Sequence, residues 1–134
     1  MKTKLITIVA IAAAINCSAQ ADSTHKSYYK NGKLETEIPY TNGKINGVSK
    51  EYYESGKLHK EVPYVGGKQN GVNKWYYENG NLMQEIPTTD NKQNGVTKYY
   101  RENGKLQSAT THRNGKSIEE TKYYDENGKL IAKK

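Results

Sequence analysis

The chain has 134 residues, room for one domain and no more. Its single cysteine, Cys17, excludes an intrachain disulfide. The net charge of +7 comes almost wholly from lysine, whereas a nucleic-acid binder would show arginine and a localised basic block.

Residues 1–21, MKTKLITIVAIAAAINCSAQA, read as a secretory signal peptide. Lys2 and Lys4 precede an apolar run from Leu5 to Ile15, and small residues follow. That run is about half the ~20 residues a bilayer-spanning helix needs. Cleavage after Ala19-Gln20-Ala21 is expected, giving an exported chain, periplasmic or extracellular, that starts near Asp22. Lipid anchoring at Cys17 is the alternative, although Ala14 and Asn16 fit a lipoprotein cleavage box poorly. Without the leader, 19 basic residues face 14 acidic ones, a net of +5. Such a charge keeps a protein soluble and attracts anionic surfaces weakly.

Residues 22–134 form one repeat domain, with units at 26–49, 50–73, 74–97, 98–121 and 122–134. A step of 24 brings the chain into columns without a gap. Lys26, Lys50, Lys74, Lys98 and Lys122 form one column, and Tyr28, Tyr52, Tyr76, Tyr100 and Tyr124 another. Gly32, Gly56, Gly80, Gly104 and Gly128 are followed two residues later by a leucine in every copy. The Tyr-Tyr doublet keeps one ring in its column while the other changes sides: Tyr29, Tyr53 and Tyr77 follow the column, whereas Tyr99 and Tyr123 precede it. The first three copies add Glu-Ile/Val-Pro at 37–39, 61–63 and 85–87. The fourth decays to Ala109-Thr110-Thr111, as repeats near an end do.

Short Tyr/Val/Ile/Leu alternations bounded by Asn-Gly and Gly-Gly predict strand, turn, strand in each unit. The fold class is therefore all-β: an antiparallel meander of roughly ten strands in a single elongated, twisted sheet. A three-residue loop such as Glu78-Asn79-Gly80, with a left-handed glycine, pairs Tyr76 with Leu82. In that register, even-numbered residues such as Val48, Lys50, Tyr52, Leu58, Val62 and Tyr64 share an apolar-aromatic face. Ser49, Glu51, Glu61 and the other odd positions share a polar one, and Pro63 falls opposite Gly47. A single sheet leaves such an apolar face to curl, dimerise or meet a partner.

The unit YYxNGKLxxExPYxNGKxNGVxK resembles the MORN-repeat variant found in bacteria, often described as an antitoxin component of toxin–antitoxin systems. The resemblance covers about residues 26–130. It implies a β-meander that binds proteins or membranes, with no chemistry in the repeat, and an antitoxin or immunity role by analogy. Where ordinary MORN units have His-Gly, this chain has Asn70-Gly71, and Trp75 is its one tryptophan.

No catalytic constellation emerges. His25, His59 and His112 lack metal-ligand spacing to one another, and no phosphate-cradling glycine loop leads from a strand into a helix. Neither enzyme activity nor a cofactor or metal is expected. The candidate binding residues are the Tyr column, the Lys column two residues before it, and Trp75. A tyrosine face predicts an unidentified protein partner or self-association. A lysine ladder at ~10 Å steps suits an anionic envelope surface, lipid or glycan, and nucleic acid is not expected.

Overall fold

The structure, a computed structural model, describes residues 22–134; the expected leader and Cys17 lie outside the described residues. The first unit supplies β1 (Ser23–Tyr28), β2 (Leu34–Thr41) and the two-residue β3 (Lys44–Ile45). The second supplies β4 (Gly47–Tyr52), β5 (Leu58–Val65) and β6 (Lys68–Gln69), and the third β7 (Gly71–Tyr76), β8 (Leu82–Thr89) and β9 (Lys92–Gln93). The fourth gives β10 (Gly95–Tyr100), β11 (Leu106–Arg113) and β12 (Lys116–Ser117), and the last β13 (Lys122–Tyr124) and β14 (Leu130–Lys133). All fourteen belong to one antiparallel sheet. Ten form a path in chain order, and the four short strands pair back onto β2, β5, β8 and β11.

The tight turn sets the register. In the third unit Tyr77 N–H donates to the Asn81 carbonyl and Gly80 N–H to the Tyr77 carbonyl, enclosing the loop Glu78-Asn79-Gly80. Gly80 has φ +92°, a conformation that costs glycine nothing. Tyr76 thus lies opposite Leu82, and the same Tyr–Leu pair recurs in all five hairpins.

One residue further on, the expected parity fails. Glu51 pairs with Lys60 while Tyr52 pairs with Leu58, so His59 is an extra residue and the strand is bulged; the other four hairpins bulge at the same place. An extra residue sends every later side chain to the opposite face. Val62 and Tyr64 therefore join Ser49 and Gly47, Glu61 joins Lys50, and Pro63 faces Val48 rather than Gly47.

The corrected register turns two columns into a single transverse row. Cross-strand partners run Lys26, Glu37, Lys50, Glu61, Lys74, Glu85, Lys98, Ala109, Lys122, Lys133 from the first edge to the last. Opposite charges alternate directly across the strands until Ala109 breaks the pattern. The tyrosine column and Val48, Val72 and Val96 share this face. On the other face lie all the buried residues among those described: Val62, Asn73, Thr88, Thr97 and Ser108. Four of these five are polar, so the buried side is not the apolar face that even numbering implied.

Successive units are tied by the tyrosine that follows the column. Tyr29 Oη donates to the Tyr52 carbonyl, Tyr53 to that of Tyr76 and Tyr77 to that of Tyr100, at 2.6–2.8 Å. In the fourth unit Arg101 replaces the tyrosine and donates to the Tyr124 carbonyl at 2.8 Å. The second ring of the doublet is thus a link between neighbouring units. At the fifth unit Asp125 accepts the N–H groups of Asn127 and Lys129, closing its own turn, and the series of links stops.

Candidate functional site

The two faces offer different chemistry. On the face of the Lys–Glu row, the bulge and the tight turn fix the Tyr column beside the Glu column. Tyr76 Oη donates to Glu61 Oε2 at 2.9 Å, and Tyr100 Oη donates to Glu85 Oε2 at 2.8 Å. Burial, reinforced by the accepted carboxylate bond and its charge, pushes both phenols up to about 12. These rings are neutral donors, not acids, at physiological pH. Lys26 pairs with Glu37 at 3.0 Å, and that hydrogen bond, then the carboxylate charge, raises its pKa. Lys98 meets Glu85 at 3.7 Å.

All ten candidate residues of the Lys and Tyr columns lie on this face, and each lysine from 26 to 98 has a glutamate directly across at least one strand. The lysines are therefore not an isolated ladder of cations. Beside the row, Val48, Val72 and Val96 keep 43%, 39% and 40% of their surface exposed. They sit at one 24-residue step, two of them opposite Pro63 and Pro87, and form an apolar line that water does not favour.

Trp75, the remaining candidate, is on the opposite face. It lies across from Lys60, whose Nζ sits 5.7 Å from the ring centroid and 2.8 Å from Glu51 Oε1. A cleft of about 280 Å³ opens beside the indole, with Gln69, Asn73, Thr88, Asn91 and Gln93 among its walls. Asn73 Nδ2 donates to Gln69 Oε1 at 2.8 Å and to Thr88 Oγ1 at 3.3 Å, whereas its Oδ1 has no partner.

Sequence reasoning missed this amide-lined cleft and the two exposed tyrosines in line with it, Tyr99 and Tyr123. The doublet shift carried the signal. Moving a ring from after the column to before it takes that ring from the inter-unit link to the cleft face.

A family-wide sequence model described as "MORN repeat variant" matches residues 22–42, 45–65, 69–91, 93–114 and 120–134. These segments contain most of the strand residues of the sheet. Among curated proteins, none matches the chain in sequence.

Proposed function

The chain belongs to the MORN repeat variant family, and from that premise we propose that it is a non-enzymatic, exported module that docks a protein partner at the cell envelope. Repeats of this family are often protein- or membrane-binding modules. The observation that carries the choice of a protein is the line of exposed Val48, Val72 and Val96 beside a charge-alternating row. From Lys26 to Lys98 alternation leaves little net field, so attraction of this stretch, which flanks the valines, to a uniformly anionic surface is weak. Exposed apolar side chains flanked by paired charges suit a folded protein surface, where apolar contact supplies affinity and the charges set register. Export rests on the leader-like residues 1–21, and recovery of a mature chain beginning at Asp22 from outside the cytoplasm tests it.

Affinity capture from the envelope fraction tests docking. The protein should retain a discrete partner that is lost when Val48, Val72 and Val96 are together replaced by lysine. Equal recovery by the variant contradicts the reading. Binding to anionic vesicles that falls steeply with salt would assign the lysine column to an envelope surface instead.

A further inference from the structure

Rings on the cleft face follow the repeat only in its later units. Trp75, Tyr99 and Tyr123 share one column and one transverse row, separated by Gln84 and Ser108. The first two units have Ser27 and Glu51 in that column. Neighbouring rings stand two strands apart, about 9.6 Å. Tyr99 and Tyr123 are 42% and 37% exposed.

A second periodic feature accompanies the rings. Two residues before Trp75 is Asn73, 5% exposed, with an unpartnered Oδ1; two residues before Tyr99 is Thr97, 3% exposed, with an unpartnered Oγ1. Both side chains point to the ring face, because residues two apart on a strand share a face. Buried polar atoms without partners cost stability, and these two recur in successive units at one column. Trp75 and Tyr99 thus each come with a buried polar atom that has no partner within the protein, whereas before Tyr123 the equivalent Thr121 Oγ1 already bonds Thr110 Oγ1 at 2.8 Å.

We propose that this row is a binding site for a linear β-1,4-linked glycan, laid across the strands from Trp75 toward Tyr123. In such a chain every second sugar presents the same face, and its disaccharide period matches the two-strand step of about 9.6 Å. The C–H face of a pyranose stacks on an aromatic ring, while its hydroxyl or acetamido N–H donates to Asn73 Oδ1 or bonds Thr97 Oγ1. The amides of Gln69 and Gln93 add donors and acceptors beside the first ring. From Trp75 to Ala132 the row has no charge, and Lys60, the charged wall of the cleft beside Trp75, is paired with Glu51, so recognition is close to neutral and separate from the lysine column. It is independent of protein docking on the other face, and the failure of either leaves the other standing.

Trp75 is the chain's one tryptophan, so its emission reports this site alone. The purified protein is titrated with chitotriose and chitohexaose. Saturable emission changes are expected, with the hexaose bound about tenfold more tightly or better, since it alone reaches the third ring, Tyr123. Tyr123→Ala should remove that length advantage and leave the triose affinity unchanged. Thr97→Val should weaken hexaose binding while raising thermal stability, because it removes an unpartnered buried hydroxyl; a purely structural threonine would not separate the two readouts. A tenfold increase in salt should change none of these affinities. Absence of an emission change at millimolar hexaose, equal affinity for the two sugars, or steep salt dependence would each overturn the proposal.

Discussion

Gly71 packs so closely against the Pro63 ring of the preceding unit that a Cβ on it would lie 2.6 Å from Pro63 Cγ. Gly47 meets Pro39 and Gly95 meets Pro87 in the same way, at 3.1 and 3.0 Å. Where the fourth unit has Thr111 in place of proline, Glu119 stands in place of the glycine, and Thr111 Oγ1 donates to Glu119 Oε2 at 3.0 Å. Two sequence columns that look like separate turn signals are one contact between units.

This contact predicts unequal costs for two glycines. Gly71→Ala meets both a positive φ of 134° and the proline ring, and should cost about 2 kcal/mol or more. Gly80→Ala meets only its φ of 92°, with open space around the new methyl, and should cost about 1 kcal/mol. Urea denaturation of the two variants measures the difference. Equal costs would remove the Pro63 contact from the account.

Tyr77→Phe deletes only the hydroxyl that donates to the Tyr100 carbonyl, and should destabilise by about 1 kcal/mol. Tyr28→Phe is the control: Tyr28 is 59% exposed, and its loss should fall within about 0.5 kcal/mol of zero. A Tyr77→Phe protein as stable as the parent would mean that the inter-unit bond contributes nothing.

Alkaline pH should weaken the fold through Tyr76 and Tyr100. Their folded pKa is about 12, above the ordinary 10, so the neutral phenol is the form the fold favours. Their contribution is complete below about pH 10 and is lost as pH rises through about 12. Urea midpoints followed across that window should fall, and the Tyr76→Phe, Tyr100→Phe double variant should fall less steeply. Identical slopes would exclude these two phenols as the titrating groups.

The last unit lacks both links that a following unit would use. Lys133 stands where Glu37, Glu61 and Glu85 stand, and Asp125 where Tyr29, Tyr53 and Tyr77 stand. If β14 of one copy paired with β1 of another in the repeat's own register, Lys133 would face Lys26, a like-charge pair. Replacing Lys133 with Glu and Asp125 with Tyr should restore both links and raise the mass seen by light scattering at high concentration. No increase over the parent would show that these residues do not guard the edge.

What could be read from sequence divides at the bulge. The Tyr76–Leu82 pair was legible because Gly80 must adopt a positive φ and the two residues share one repeat spacing. The faces were not legible beyond His59, since one extra residue leaves the 24-residue period intact while reversing every later side chain. That reversal placed Glu61 between Lys50 and Lys74, altering the electrostatics of the candidate site. The bond from Tyr77 to the Tyr100 carbonyl has no local signature; the sequence shows only that this ring of the doublet changes sides in the last two copies. Asn73 and Thr97 were invisible for another reason: an unpartnered buried atom is a property of packing, not of residue type.

Photo-crosslinking in living cells addresses docking most directly. A photoreactive residue in place of Val72, on the face of the Lys–Glu row, should give one discrete protein adduct, and so should one in place of Val48 or Val96. The same residue in place of Gln84, on the opposite face, should give none with that partner. An adduct formed from position 84 and absent from positions 48, 72 and 96 would contradict the assignment of the valine face as the docking surface.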